Sequence, residues 1–331
     1  MVRTARRSPR HARHRAGERT DTGGGTSVVR NAGRWGKFLP AMVTPLHEDC
    51  SVDYDGVATL ARYLQDNGND GLVVTGTTGE SPVLTDTERV EVWRAAIEAV
   101  TIPVIAGSGT NDTAHSVEMT KEAERVGAAA VLAVTPYYNR PSQSGLYGHF
   151  RAIAESTDLP VMLYDIPIRS GRKIANETFL KLIADCSNIV ANKDAAKDPS
   201  STAMLLRDAP DYFEVYSGDS SLTLPFLAVG ACGVVGVASH WTGAAQKQMI
   251  EAFSKGDVDR ARELNAALAA SYDFEGSDAY PNPVPTKTVM RRLGLPVGQC
   301  RLPMGPGSPE LDAAADALLA SLGSMAAPKY K

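Results

Sequence analysis

Short apolar runs rich in Val, Ile, Leu and Ala recur along this chain at a spacing of roughly 25–30 residues, and the stretches between them mostly carry apolar residues at helical spacing. From Phe38 onward, runs at 38–45, 70–76, 104–107, 130–136, 160–165, 189–195, 213–219 and 233–238 predict eight strands. Segments 55–67, 86–100, 112–126, 145–156 and 175–185 predict helices, with Asp112 and Asn176 as N-terminal caps. Strand and helix in alternation are βα units, and eight of them make a complete α/β (β/α)8 TIM barrel with a parallel sheet inside a ring of helices. After the eighth strand, helix-like stretches follow at 243–255, 257–271 and 309–322. Only the first is needed to finish a barrel. The chain therefore predicts a barrel over residues 37–256 and a C-terminal helical extension over 257–331. A doubly wound open sheet is the competing topology, but no Gly-rich dinucleotide fingerprint follows the first strand.

Composition narrows the class without changing this picture. With 331 residues, 43% hydrophobic and 22% charged, the chain can bury a full globular core. No apolar stretch approaches the ~20 residues needed to span a bilayer, so the expectation is a protein that is not membrane-embedded. Cys50, Cys186, Cys232 and Cys300 lie far apart and form no Cys-x-x-Cys. They give neither a disulfide framework nor metal spacing, and read as reduced thiols of a cytosolic protein. The net charge of −4 hides an asymmetry: residues 1–36 hold nine Arg against Glu18 and Asp21, a net of +7, leaving −11 on the rest. Residues 3–19, rich in Arg, Ser, Pro and His and followed by Gly23-Gly24-Gly25, read as a disordered basic tail over 1–36. Such a tail could touch nucleic acid through phosphate charge alone. It lacks the apolar segment of a signal peptide, and no function is assigned to it.

The chemistry centres on Lys193. It stands in Ile189-Val190-Ala191-Asn192-Lys193-Asp194-Ala195, a mainly apolar strand that carries a lone amine into a core. Burial disfavours a charged amine, lowers its pKa and leaves it nucleophilic, as Schiff-base chemistry requires. The bland alternative is a strand-end lysine that reaches solvent or pairs with Asp194. Other polar residues fall at the ends of other strands, where a barrel of this kind collects its chemistry: Thr77 and Thr78 after the second, Tyr137 and Tyr138 after the fourth, Tyr164 at the end of the fifth and Arg169 just beyond. Singly, each is more simply a local hydrogen-bonding or packing residue. Together at one barrel mouth they suit a lysine attacking a keto acid. Tyrosine hydroxyls linked by a threonine could move the proton, a Gly-Thr-Thr-Gly turn could hold a carboxylate with neutral donors, and Arg169 offers a planar fork to a second anionic substrate.

The set Gly76-Thr77-Thr78-Gly79-Glu80-Ser81, Thr135-Pro136-Tyr137-Tyr138-Asn139-Arg140-Pro141-Ser142, Leu163-Tyr164-Asp165-Ile166-Pro167 with Arg169-Ser170-Gly171, Lys193-Asp194-Ala195, Ser217-Gly218-Asp219 and Pro281-Asn282-Pro283-Val284-Pro285-Thr286-Lys287 resembles the dihydrodipicolinate synthase family of pyruvate-dependent aldolases over about residues 36–322. The Gly-Thr-Thr-Gly-Glu turn is shared with related pyruvate aldolases; the paired tyrosines with Arg169 point to the synthases. The resemblance implies condensation of pyruvate with L-aspartate-4-semialdehyde on the diaminopimelate route to lysine. It implies a pyruvate imine on Lys193, proton transfer by Tyr164, and a relay through Thr77 and a Tyr138 reaching in from a neighbouring subunit. It places Thr78, Gly218 and Val235 at the pyruvate site and Arg169 on the semialdehyde carboxylate. No metal or organic cofactor is implied, and the implied assembly is a cytoplasmic homotetramer of tight dimers. Ser81, Asn111 and Tyr137 match a lysine effector site, but His115 stands where feedback-sensitive members carry a glutamate, and Asp86 and Arg89 replace histidines.

Asn192, Ile168, Gly236 and His240 depart from the family pattern. Two rival readings remain: a sister lyase acting on N-acetylneuraminate or a 2-keto-3-deoxy sugar acid, and a catalytically retired barrel that binds a partner. Tyr138 and Arg169 weigh against the first, since they fill and charge the space of a long sugar. The second expects a lost catalytic residue, and none is lost.

Overall fold

The computed structural model describes residues 33–331. Eight short strands, β1 (Phe38–Pro40), β2 (Leu72–Val74), β3 (Val104–Gly107), β4 (Ala130–Val134), β5 (Val161–Asp165), β6 (Ile189–Asp194), β7 (Glu214–Ser217) and β8 (Gly233–Gly236), pair in parallel in the order β1-β8-β7-β6-β5-β4-β3-β2. The open ends of that order meet: Ala41 bridges Val73 in parallel, and the Met42 N–H donates to the Val73 carbonyl at 2.9 Å. The sheet is thus a barrel. The strands are shorter than the apolar runs that predict them, because residues such as 41–45 and 135–136 leave the ladder to form the loops of the barrel mouth while staying buried.

The ring holds helices α1 (Tyr54–Asp66), α2 (Asp86–Ala99), α3 (Thr113–Arg125), α4 (Gln143–Ala154), α5 (Pro167–Ser170), α6 (Asn176–Asp185), α7 (Pro199–Asp208), α8 (Thr223–Ala228) and α9 (Ser239–Ser254). Side chains that answer free N–H groups start most of them. Asp53 accepts from the Gly56 N–H at 2.8 Å, Asp112 from His115 N–H at 2.7 Å, and Thr85 forms a reciprocal capping box with Glu88. Asn176 is not a cap. It is the first residue of α6, after a bare Ala175, and its amide reaches Ser201 O at 3.0 Å. Helices α5 and α8 lay hidden in the sequence because at 4 and 6 residues they give too little period, and α7 because its apolar residues form one contiguous run, Ala203–Leu206, rather than a helical spacing.

Two apolar layers result. Leu39, Val73, Ile105, Leu132, Met162, Tyr216 and Val235 fill the lumen, and a larger layer between strands and helices includes Val74, Trp93, Leu163 and Phe179. Helices α10 (Val258–Phe274), α11 (Val284–Arg292) and α12 (Pro309–Leu322) form the C-terminal region. Leu264 and Leu268 of α10 share a cluster with Met249 and Ile250 of α9 and with Phe38 and Val234, while Val289, Met290 and Leu318 join the layer around the barrel. Among the described residues no helix is long and apolar enough to cross a membrane.

Residues 1–32 of the expected basic tail lie outside the described residues. Its last four are part of the barrel. Trp35 is buried against Tyr216 with ring centroids 6.2 Å apart, the Arg34 N–H donates to Glu214, and the Tyr216 hydroxyl donates to Gly36 O at 3.0 Å. An indole that leaves water here stabilises the fold by several kcal/mol, which outweighs the polar, glycine-rich composition around it.

Candidate active site

A register step builds the site. On β6, Val190 is an extra residue between the pairs Val161–Ile189 and Met162–Ala191, and beyond it Tyr164, Lys193 and Tyr216 stand in line across β5, β6 and β7. A slip of one residue exchanges the two faces of a strand. The irregularity therefore decides that Lys193 shares the lumen face with Tyr164, and that Asn192 turns outward into the core.

Lys193 is 5% exposed, with its Nζ 4.4 Å from the centroid of the Tyr164 ring. Burial is the largest influence on it and lowers its pKa to about 7; Glu275 pushes it back up and Arg169 pushes it further down. A far larger share of these amines is therefore neutral near pH 7 than of exposed lysines, which are almost wholly charged there. Tyr164 moves the other way. Burial raises its pKa to about 12, against the opposing effects of Arg169 and a hydrogen bond with Thr77. It stays a phenol at neutral pH and is placed to hand a proton over.

The Thr77-Thr78 turn is held from several sides. The Trp93 indole donates to Thr75 Oγ1 at 2.6 Å, and Thr44 Oγ1 donates to Gly79 O at 2.7 Å. Glu80, at φ 60°, meets Lys287 Nζ at 2.7 Å in an ion pair almost without exposure, and its other oxygen accepts the Arg301 N–H at 2.8 Å. A buried pair of this kind is expensive to break from one side. It ties the turn to the C-terminal region.

Lys193, Tyr164, Thr77, Thr78, Arg169 and Gly218 all line one cleft of about 600 Å³ at the barrel mouth. A smaller cavity of about 190 Å³ beside it shares Thr77, Tyr164 and Arg169 and adds Ser81 and Tyr137. Glycine is required at 218, because a Cβ there would stand 2.8 Å from that of Ala195. Val235 lies deeper, fully buried in the lumen, and Val237 faces the cleft in its stead. Tyr138 is the residue not brought in: at φ 73° it points away and is 91% exposed. His115 and Asp86 pair at 2.8 Å in a separate surface groove, Arg89 is buried with its guanidinium on Gly107 O, and Asn111 O accepts from Asn139.

Three departures from the family pattern have a physical account. His240 is fully buried and neutral, with burial lowering its pKa to about 4; its Nδ1–H donates to Val237 O at 2.8 Å and its Nε2 accepts the Val43 N–H at 3.2 Å. At Gly236 a Cβ would lie 2.9 Å from Ser220 Oγ, so any side chain there would force that hydroxyl to turn away from the Val237 N–H it accepts. Ile168 is 82% exposed and touches no core. Glu275, at the C-terminal end of α10, lines the cleft and was not legible beforehand. Its carboxylate accepts the Ala238 N–H at 2.7 Å, and burial raises its pKa to about 7. It follows a helix with no strand-end signal, so only the packing of α10 across the mouth reveals it.

The dihydrodipicolinate synthetase family model matches residues 34–322. A 4-hydroxy-tetrahydrodipicolinate synthase of Moorella thermoacetica is 49% identical over 273 residues, 82% of this chain and 92% of that one. Among solved structures, a dihydrodipicolinate synthase of Bacillus anthracis superposes with a TM-score of 0.83 at 44% identity, covering 87% of this chain and 98% of its own. The enzyme of Cyanidioschyzon merolae, solved with lysine bound, gives 0.84 at 40% identity over 87% and 98%.

Proposed function

Because the chain belongs to the dihydrodipicolinate synthetase family, we propose that it condenses pyruvate with L-aspartate-4-semialdehyde to 4-hydroxy-tetrahydrodipicolinate through an imine on Lys193. The observation that carries this reading is the buried Lys193 amine, depressed to about 7 and facing the Tyr164 phenol at the barrel mouth. In the reaction the neutral amine adds to C2 of pyruvate, and Tyr164 protonates the departing hydroxyl as water leaves. Loss of a C3 proton gives the enamine. Its C3 forms a bond to the aldehyde carbon, whose oxygen takes up a proton. The semialdehyde's own amine then adds to C2, closing the ring and releasing Lys193.

Each remaining residue has a role in this reading. Thr77 passes the proton between Tyr164 and Tyr138 of a neighbouring copy, a role that the outward, exposed setting of Tyr138 favours. Thr78 and the backbone at Gly218 hold the keto acid, with Val235 beneath it, and Arg169 takes the semialdehyde carboxylate with a bidentate fork. The enzyme is taken as cytoplasmic and homotetrameric. It needs no metal or organic cofactor, because the lysine imine is itself the electron sink.

Borohydride reduction in the presence of pyruvate tests the reading. A mass increment at Lys193, lost in Lys193→Ala, is expected, together with product from the semialdehyde and none from sialic acid. Labelling that survives Lys193→Ala would assign the chemistry to another lysine.

A further inference from the structure

Asn282 lies in the C-terminal region, just before α11, yet it lines the barrel-mouth cleft beside Thr78. Its Nδ2 donates to Thr78 Oγ1 at 2.8 Å, and its Oδ1 accepts from Thr286 Oγ1 at 3.0 Å. Thr286 has no exposure, and with its hydroxyl donating to Oδ1 the amide presents its Nδ2 to Thr78. The segment cannot swing aside either, because Lys287, one residue on, is locked to Glu80 in the same turn as Thr78.

A threonine hydroxyl has one proton and two lone pairs. With the Asn282 N–H on its oxygen, the proton is free to point elsewhere, and the cleft is the open direction. Accepting one hydrogen bond also makes a hydroxyl a stronger donor. We propose that Asn282 is a positioning residue for the keto acid: by donating to Thr78 it turns the Thr78 hydroxyl proton toward the substrate carboxylate. This rests on the reading of Lys193 and Thr78 given above. It gives the C-terminal region a part in substrate recognition, since Asn282, Thr286 and Lys287 all belong to it.

The test is a mutant cycle read through the KM of pyruvate, with kcat and the KM of the semialdehyde as controls. Asn282→Ala should raise the pyruvate KM by roughly tenfold, the value of one hydrogen bond directed at a charge, and leave the semialdehyde KM unchanged. Asn282→Asp should be worse, because a carboxylate would draw the Thr78 proton to itself. In a Thr78→Val background neither substitution should add further to the pyruvate KM. Thr286→Val, which frees the amide to flip, should raise it in the same direction and supplies the measurement if the Asn282 variants fold poorly. Equal effects with and without the Thr78 hydroxyl, or an unchanged KM in Asn282→Ala, would overturn the proposal. If the unaltered protein cannot be trapped with pyruvate, the Lys193 reading falls first and this inference with it.

Discussion

Asp165→Asn should stabilise the protein, and by an amount that depends on pH. Asp165 ends β5 on the outward face, 1% exposed, and its carboxylate accepts the Ile174 N–H at 3.2 Å. Burial is the main cause that raises its pKa from 3.8 to about 7, and the neighbouring Asp194 adds to the rise. A carboxyl raised in the folded state favours folding only while it is protonated. Its full contribution is present below pH 3.8 and is lost as pH climbs to about 7, beyond which the protein carries the whole penalty. That rise in pKa corresponds to a ceiling of about 4 kcal/mol above pH 7. Asparagine has the shape of the protonated form and can still accept from Ile174. The same relation gives a gain about 2 kcal/mol larger at pH 8.5 than at pH 5.5, less whatever relaxation has already relieved. Urea unfolding of both proteins at those two pH values, at one protein concentration, measures it. A gain independent of pH, or a loss at pH 8.5, would refute the reasoning.

Further outcomes follow from the same structure. Asn192 is fully buried with neither its Nδ2 nor its Oδ1 paired, so Asn192→Leu should stabilise by about 1–3 kcal/mol, read as a higher melting temperature; a lower one would mean that the amide has a partner. Glu275→Gln removes the charge that lifts the Lys193 pKa, so the pH midpoint for borohydride trapping of pyruvate should move downward, and an upward move would contradict the sign. Mixing Tyr138→Phe with Lys193→Ala subunits should restore some activity if Tyr138 serves a neighbouring copy, and no recovery despite proven subunit exchange would place it elsewhere. Lysine should inhibit weakly: His115, already paired with Asp86, cannot supply the charge-assisted bond worth roughly 1.5–3 kcal/mol to an ammonium, and half-inhibition well below about a millimolar would count against that.

The eight-strand barrel and most of the residues that line the candidate cleft were legible in the sequence, because both are written in local pattern. Apolar runs at regular spacing mark strands whatever they pack against, and Thr77, Tyr164 and Lys193 stand at the ends of those runs, with Arg169 a short way beyond one. Short helices such as α5 and α8 were not legible, since fewer than two turns give too little period to separate from a loop. The tail boundary was misplaced for a related reason. Trp35 is an isolated aromatic among polar residues, and only its contact with Tyr216, far along the chain, makes it core.

What the sequence determined by itself was the inventory: eight βα units, one lysine in an apolar strand, hydroxyls and an arginine at strand ends. Tertiary structure decided which face each residue took and which distant groups came to meet it. The extra Val190 in β6 sets the phase that turns Lys193 inward and leaves Asn192 unpaired outside. The folding of the C-terminal region over the mouth brings Glu275 to Lys193, Asn282 to Thr78 and Lys287 to Glu80, across as many as 207 residues of chain. Spacing along a chain records neither, because register and long-range contact depend on the packing of elements that carry no local trace of one another.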